Sequence, residues 1–165
     1  MAGAAARHIR FVNVSLRPLV AGDGAWADAW LPDVAASVGH DVRDVASLVG
    51  REKKERGLLA RAIERDGEPI GVAIARARWP KRAAGTIELV ALPPEQARRG
   101  YGVQAAALIE SELSDAGAKR IYVPAPAVHG IAMYFWIRLG YHPLMRDDWP
   151  CEQDDIAWMV RELTE

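Results

Sequence analysis

Several features that would define a protein's class are scarce or absent in this sequence. Cys151 is the only cysteine, which excludes an intramolecular disulfide and a cysteine-rich zinc site. No run approaches about 18 apolar residues, so no membrane-spanning helix is predicted. The formal net charge of −1 gives no overall attraction to nucleic acid or to an anionic membrane. We therefore predict no nucleic-acid or membrane partner, no metal, and a cytoplasmic location.

What the sequence does contain is ordinary for a globular protein. Of its 165 residues, 50% are hydrophobic and 26% are charged. That length suits one domain, which buries about two thirds of the surface that the unfolded chain exposes. There is no internal repeat, low-complexity segment or linker. A single domain is predicted over residues 1–165.

The apolar pattern and the turn residues predict an alternation of strands and helices. The first strand contains Val12 and ends near Pro18, and Asp23 caps a first helix that Pro32 cuts or kinks. The Asp-Gly pair at 66–67 predicts a hairpin turn. Further strands are predicted over residues 58–64, 69–77, 86–92, 120–123, 141–144 and 156–160, and further helices over 41–55, 100–116 and 129–139. The order β-α-α-β-β-β-α-β-α-β-β predicts a mixed α/β sheet with helices on its faces.

The most informative segment runs from Leu92 to Gly102, Leu-Pro-Pro-Glu-Gln-Ala-Arg-Arg-Gly-Tyr-Gly. It is typical of a strand end, a loop with Arg98 and Arg99, and the start of a helix. Glycines such as Gly100 let the backbone approach an anion closely, and the first N–H groups of a helix point toward it. The two arginines can add charge-assisted hydrogen bonds to phosphate oxygens. The segment therefore predicts a pyrophosphate-binding site.

Two other interpretations of this segment stay open. The run Gly-Tyr-Gly-Val-Gln-Ala at 100–105 also fits the dinucleotide fingerprint G-x-G-x-x-G/A. Against it, the proline-containing run 93–99 separates the strand from the first glycine, and no acidic residue ends a second strand about 20 residues on. The next predicted strand ends in Pro124 instead. In the other interpretation the segment is only a turn into a helix, with solvated arginines.

Two segments of the chain resemble the GNAT superfamily of acetyltransferases. In that family a strand ending in apolar-x-Pro precedes the pattern Q/R-x-x-G-x-G/A; residues 92–94 and 97–102 match, with Ala97 at the Gln or Arg position. Residues 129–141 resemble the family pattern N-x-x-A-x-x-(L/F)-Y-x-x-x-G-(F/Y), with His129 at the Asn position. The resemblance covers nearly the whole chain in element order. It implies a mixed, mostly antiparallel central sheet with helices on both faces.

The resemblance also implies an activity, the transfer of an acetyl group from acetyl-CoA to an amine within a ternary complex. The strand ending at Leu92 would pair its backbone with the pantetheine arm, and a main-chain N–H within 90–92 would polarise the thioester carbonyl. The residues implied for cofactor binding are Val90, Ala91, Leu92, Ala97, Arg98, Arg99, Gly100, Tyr101, Gly102, Val103 and His129.

Amine attack needs a base, because an alkyl ammonium is mostly protonated at pH 7. Glu88 is the predicted base. Alternation along a strand places it on the same face as Val90 and Leu92, and a carboxylate can relay a proton through a water. The alternative is a Glu88 that is merely solvated or is paired with an arginine.

The leaving thiolate is the second catalytic question. Trp136 stands where the family often has a tyrosine assigned as general acid, and an indole N–H can hydrogen-bond a thiolate but cannot protonate it. Either the thiolate leaves unassisted, or Tyr122 or Tyr141 serves. Tyr134 is about 200° around the helix from Trp136 and is predicted to face elsewhere. The remaining alternative is a non-catalytic acyl-CoA-binding module.

The acceptor is predicted to be an amine, with a small cationic amine favoured over a peptide amino group. The family's acceptor selectivity lies mainly in the first two helices and in the loop before the last strand, where carboxylates beside aromatic rings would suit a cation. In the alternative these are a solvated acidic loop and core tryptophans. His40 and His142 give no functional signal singly, and a homodimer is compatible with the chain. The carboxylates and tryptophans considered for acceptor binding are Asp28, Asp33, Asp147, Asp148, Glu152, Asp154, Asp155, Trp26, Trp30 and Trp149.

Overall fold

One sheet organises the computed structural model, which describes residues 13–163; Val12, predicted in the first strand, lies outside the described residues. In chain order the strands are β1 Val14–Pro18, β2 Leu58–Arg65, β3 Glu68–Ala77, β4 Ala84–Ala91, β5 Arg120–Pro126, β6 His142–Pro143 and β7 Ile156–Glu162. The helices are α1 Gly24–Ala27, α2 Leu31–Ser37, α3 Val45–Lys54, α4 Tyr101–Asp115 and α5 Gly130–Arg138. The sheet order is β1-β2-β3-β4-β5-β7-β6, and only β4 and β5 are parallel neighbours. The predicted mixed, mostly antiparallel sheet is confirmed.

Alternating side chains of the central strands build two separate cores. On β3, Ala73 and Ala75 pack with buried residues of α4, such as Ile109, on one face of the sheet. Val72 and Ile74 pack with the buried residues of α1, α2 and α3 on the other. This is the period-2 alternation of a strand that is covered on both sides. The predicted placement of helices on both faces is therefore confirmed.

The predicted first helix is two short helices, and Asp23 stands at the N-cap position of α1 without a side-chain cap hydrogen bond. The Asp23 carboxylate instead accepts hydrogen bonds from Arg17, from the Val20 N–H and from Trp26 Nε1. The break falls before Pro32, which lies in the first turn of α2. Proline is tolerated there because the N–H that it lacks would have no partner within the helix.

The helix predicted over 41–55 begins later, at Val45, because two carboxylates hold its first turn. Asp44 accepts from the Ser47 N–H at 2.7 Å as a side-chain cap. Asp28, from the turn after α1, accepts from the Val45 N–H at 2.8 Å. The start of α3 is therefore fixed both locally and by a contact from the turn after α1.

Later elements follow the predicted order with shifted ends. The hairpin turn is confirmed: Asp66 and Gly67 both have positive φ, +50° and +84°, as a type I′ turn requires. The strand predicted to end at 123 continues to Pro126, where it is still paired with β7. The strand predicted over 141–144 is paired only at 142–143.

Two negative findings apply to residues 13–163. No helix there is both long and apolar enough to cross a lipid bilayer, and no three His, Cys, Asp or Glu residues are grouped so that they could hold a metal ion. Cys151 is exposed, in the segment between β6 and β7. The cytoplasmic location and the domain bounds 1–165 stay predictions.

Candidate active site

A cleft of about 840 Å³ opens where β4 and β5 separate. The two parallel strands pair only over residues 84–86 and 120–122, and the last pair is Thr86 with Tyr122. Beyond that pair, β4 continues to Ala91 and β5 to Pro126 without pairing with each other. Main-chain polar groups along the facing edges are therefore available to a ligand.

Two prolines account for the end of this pairing. Pro124 and Pro126 line the cleft, and neither has an N–H to donate to a neighbouring strand. Both remain in register with β7, opposite Trp158 and Ile156. Pro124, predicted as the end of its strand, ends the pairing with β4 and leaves the strand intact.

A β-bulge in β4 sets which side chains face the cleft. In the register against β3, Glu88 is an extra residue between Ile87 and Leu89. Because of it, Ile87 packs on the α4 face of the sheet together with Val90 and Leu92. The prediction that Glu88 shares their face by simple alternation is therefore wrong.

Glu88 instead forms an ion pair toward the helices on the opposite face. Its Oε1 lies 3.1 Å from Nε of Arg76 on β3, and both side chains are about four-fifths buried. A second carboxylate, Glu55 directly after α3, lies 3.9 Å from Arg76 Nη2. Glu88 still lines the cleft. Of the alternatives considered for Glu88, pairing with an arginine is the one that matches its contacts.

The loop before α4 has the geometry of an anion site. Gly100 has a left-handed backbone with φ of +82°, and Arg98 has φ of +62°. The first helical hydrogen bond of α4 runs from the Gln104 N–H to the Gly100 carbonyl, at 3.2 Å. The N–H groups of residues 101–103 precede it and lie at the positive end of the helix dipole. Arg98 lines the cleft beside them.

Most of the predicted cofactor residues line the cleft, but three do not. Ala91 is fully buried in the core under α1–α3, Arg99 is exposed outside the cleft, and Tyr101 is buried in the core under α4. The Tyr101 hydroxyl accepts from Arg65 Nη1 at 2.9 Å, and this contact lowers the pKa of Tyr101. Only main-chain atoms of Ala91 and Tyr101 are left for a ligand. The residues that line the cleft are Val90, Leu92, Ala97, Arg98, Gly100, Gly102, Val103 and His129.

Gly102 and His129 bring α5 against the anion loop. A Cβ added to Gly102 would lie 3.3 Å from Phe135 Cε2, so the close approach of α4 and α5 depends on this glycine. His129 is the N-cap of α5, and its Nδ1 accepts from the Ala132 N–H at 3.1 Å. Nε2 is therefore the ring nitrogen of His129 that can contact a ligand.

The split strands, the bulge and the anion loop all lie within residues 25–141, which match the model of the acetyltransferase (GNAT) family. The chain belongs to this family. The predicted resemblance is confirmed, and the dinucleotide fingerprint at 100–105 is part of the family's acetyltransferase domain. The comparison with curated proteins found no match.

Solved structures share the fold of this GNAT protein. An acetyltransferase from Thermus thermophilus is 20% identical with a TM-score of 0.76, covering 92% of this chain and 98% of that one. An aminoglycoside acetyltransferase crystallised with coenzyme A is 17% identical with a TM-score of 0.73, covering 91% and 95%. N-acetylglutamate synthase from Neisseria gonorrhoeae, complexed with coenzyme A and N-acetyl-glutamate, is 20% identical with a TM-score of 0.73. That match covers 93% of this chain and 36% of the synthase.

In this GNAT acetyltransferase, Trp136 is mainly a packing residue at the edge of the cleft. Its side chain lines the cleft but is only 7% exposed. The ring makes edge-to-face contacts with Phe135 and Tyr141, with centroid separations of 4.9 and 5.2 Å. Its indole can offer a hydrogen bond to a bound group but no titrating proton.

The two tyrosines considered as proton donors have their hydroxyl groups engaged outside the cleft. The Tyr141 hydroxyl donates to Glu110 Oε1 at 3.0 Å, and burial together with the Glu110 charge raises the pKa of Tyr141 well above its usual range. The Tyr122 hydroxyl accepts from Arg120 Nη1 at 3.4 Å. Neither lines the cleft. Neither Tyr122 nor Tyr141 is therefore placed to protonate the leaving thiolate.

Tyr134 does reach the cleft, so the prediction that it faces elsewhere is wrong. Its side chain is 60% exposed and lines the cleft along with Ile131 and Arg138 of the same helix. Tyr134 and Trp136 point in different directions around the axis of α5. The cleft nevertheless extends far enough along this helix for both side chains to line it. Its ring also lies under the Arg138 guanidinium, 5.8 Å from the centroid.

His40 is a cleft residue that the sequence did not single out. The chain leaves α2 through Gly39, with φ of +81°, and the His40 N–H donates to the Ala35 carbonyl at 2.9 Å. This turn places the imidazole against the main chain of Glu88. Burial lowers the pKa of His40, against the opposing effect of the Glu88 charge. Gly39, a residue type that commonly follows the end of a helix, was the available signal.

The acidic and aromatic features predicted for the acceptor lie outside the cleft lining. Trp26 Nε1 donates to Asp23 at 2.9 Å, and Asp28 holds the start of α3. Trp149 packs beside Trp158 and Ile156, and its Nε1 donates to the main chain. Within the part of the chain that the structure describes, Glu88 is the only carboxylate that lines the cleft.

Proposed function

We propose that this chain transfers an acetyl group from acetyl-CoA directly to an amine bound in the same cleft. The observation that carries the proposal is the meeting of two features at one place. The opening between β4 and β5 and the amino-terminal end of α4 line a single cleft. An extended thioester arm ending in a pyrophosphate needs both features together, an open strand edge and a helix start.

The anion loop fits the pyrophosphate of acetyl-CoA. Three consecutive N–H groups, of residues 101–103, precede the first helical hydrogen bond, and Arg98 adds a charge beside them. The left-handed Gly100 has open space where a side chain would lie, so its backbone is accessible to an anion. Arg99 is exposed next to this loop and adds a second cation.

The unpaired edge of β4 fits the acylated arm. Residues 90–92 follow the last pair with β5, and Val90 and Leu92 line the cleft with their side chains. A main-chain N–H in this stretch would hold the thioester carbonyl and stabilise negative charge that develops on its oxygen. Holding both substrates in one cleft supplies much of the remaining rate.

The acceptor reacts as the neutral amine, after its ammonium form has lost one proton to solvent. The transfer then removes one further proton and breaks one bond. The amine nitrogen forms a bond to the acetyl carbon while the bond between that carbon and sulfur breaks. The amine proton goes to a base at the Glu88 end of the cleft, and the CoA sulfur leaves as thiolate and is protonated by solvent. Trp136 lines the cleft and could donate a hydrogen bond to that sulfur.

The proposed acceptor is an amine, with a small cationic amine favoured over a peptide amino group. Glu88 places a negative charge at the cleft, although it shares that charge with Arg76. The second candidate function is a non-catalytic acyl-CoA-binding module. What favours it is that Trp136 offers no titrating proton while the hydroxyl groups of Tyr122 and Tyr141 are engaged elsewhere.

Thermal shift and acetyl transfer distinguish these functions. At a concentration of about 100 Kd, coenzyme A should stabilise the protein by roughly 2.7 kcal/mol, which raises Tm by about 5–10 °C for this chain length. NAD and NADP should leave Tm unchanged. Thiol release from acetyl-CoA should then depend on an added amine, measured across polyamines, aminoglycosides, amino acids and peptides.

Each outcome has one interpretation. Amine-dependent thiol release supports the transferase, and a Tm shift by coenzyme A with no amine-dependent release supports the binding module. The absence of any coenzyme A shift would contradict both. Arg98→Ala should weaken coenzyme A binding about tenfold, whereas Arg43→Ala, at an exposed arginine outside the cleft lining, should not.

A further inference from the structure

Two titratable side chains that are distant in the sequence meet at one end of the cleft. His40 follows α2 and Glu88 is the bulged residue of β4, and both line the cleft. The His40 imidazole lies against the Glu88 main chain, and the main-chain hydrogen bond between the Ala35 carbonyl and the His40 N–H holds the turn that carries it. Leu89 and Val90, which follow Glu88 on the open strand edge, line the same cleft.

The Glu88 carboxylate is already engaged. Arg76 Nε donates to its Oε1 at 3.1 Å, and both side chains are mostly withdrawn from solvent. A carboxylate that accepts a proton while it is paired to a guanidinium has to give up a charge-assisted hydrogen bond. Among the salt bridges of the described residues, none involves the neighbouring His40 imidazole.

We propose that the His40 imidazole is the base that accepts the proton from the acceptor amine, with Glu88 as a positioning residue beneath it. The inference rests on the proposed acetyl transfer and names the group that this transfer requires. The amine nitrogen gives a proton to the unprotonated ring nitrogen of His40 while its bond to the acetyl carbon forms. His40 becomes imidazolium, the sulfur leaves as thiolate, and the open cleft returns the proton to solvent.

The charges around His40 suit a base that works near neutral pH. Burial lowers the pKa of His40, so the ring is neutral at pH 7 and can accept a proton. Glu88 on β4 opposes this shift, and Arg51 on α3 adds to it. The Glu88 charge also stabilises the imidazolium formed during transfer. A general base near its working pH contributes about 10²–10⁴-fold in rate.

The test is the pH dependence of kcat/KM for the full-length protein, with the best amine acceptor found in the turnover screen. The wild type should lose activity as the pH falls through the pKa of His40, which burial places below the ordinary value for histidine. His40→Gln should lower kcat at least a hundredfold and remove that limb of the profile. Glu88→Gln should keep the limb but move it to lower pH, because the negative charge that favours imidazolium is gone.

The opposite pattern would overturn the proposal. If Glu88→Gln abolishes the limb while His40→Gln keeps it, Glu88 is the base and His40 only packs beside it. His142→Gln is the matched control, since His142 lies on β6, is exposed and does not line the cleft. Imidazole added to His40→Gln should restore part of the lost rate.

A second measurement guards against misfolding of the variant. The Tm and coenzyme A shift of His40→Gln show whether the fold and the loop are intact, and His40→Asn serves if they are not. In the wild type, NMR titration of the His40 ring must give the same pKa as the kinetic limb, and a mismatch would refute the role. Absence of amine-dependent thiol release in the wild type would instead contradict the proposed function itself.

Discussion

Asp23 offers a direct test of how the amino-terminal helices are held on the sheet. Its carboxylate is 4% exposed and accepts four hydrogen bonds. Two come from the Arg17 guanidinium at 2.8 and 2.9 Å, one from the Val20 N–H and one from Trp26 Nε1, each at 2.9 Å. The contact joins the end of β1 to the turn before α1, and α2 further along the chain lines the cleft. Asp23→Asn removes the charge and keeps the shape.

The magnitude follows from the pKa of that carboxyl. Hydrogen bonds from Arg17, above all, lower the pKa of Asp23 from its usual 3.8 to about 2. At neutral pH this difference corresponds to roughly 2 kcal/mol of stability. Because the folded-state pKa is the lower one, the contribution is complete above the unfolded pKa and is lost as the pH falls from about 4 toward 2.

Urea unfolding at several pH values between 7 and 3 measures this contribution. Asp23→Asn should be about 2 kcal/mol less stable than the wild type at pH 7, with Tm lower by about 4–8 °C, and the difference should shrink toward pH 3. Asp147→Asn, in an exposed loop, is the matched control and should stay within about 0.5 kcal/mol. Equal stability of Asp23→Asn and wild type at pH 7, or a difference that is constant down to pH 3, would refute the reasoning.

Two further predictions concern the cleft itself. Gly100→Ala should cost about 1 kcal/mol in urea unfolding, because its φ of +82° disfavours any side chain while the space around it is open; a neutral result would mean that the loop readily takes another backbone conformation. Trp136→Phe should lower stability by about 1–2 kcal/mol through lost packing, yet change kcat for thiol release by less than about tenfold, because an indole supplies no titrating proton. A loss of a hundredfold or more in kcat at unchanged coenzyme A affinity would show that its N–H acts in the transfer.

The anion loop and the order of elements could be predicted because local sequence determines them. Glycines at positions 100 and 102, the arginines between strand and helix, and the Asp-Gly hairpin each impose their geometry over a few residues. The segment 129–141 added the second family pattern at the expected separation. Family membership was therefore within reach of the sequence.

The contacts of Glu88 and His40 in the cleft could not be predicted, because they depend on segments that are distant in the sequence. The bulge at Glu88 appears only when β4 is aligned against β3, and Arg76 reaches Glu88 only in that register. His40 is an isolated histidine until the turn after α2 brings it to β4. The position of the acidic loop outside the cleft lining could not be predicted either, since its composition says nothing about which face of the sheet it covers.

The bulge in β4 makes residue number as important as residue type at this point of the chain. Before it, the odd-numbered Ile87 faces α4; after it, the even-numbered Val90 and Leu92 do. Deleting position 88 would restore an unbroken alternation in which Leu89, Val90 and Leu92 keep the faces that they have now. A deletion there should therefore keep the core-facing side chains of β4 in place and remove the carboxylate from the cleft, as Glu88→Gln should. Position 88 is thus an extra residue that β4 accommodates as a bulge, whatever side chain it carries.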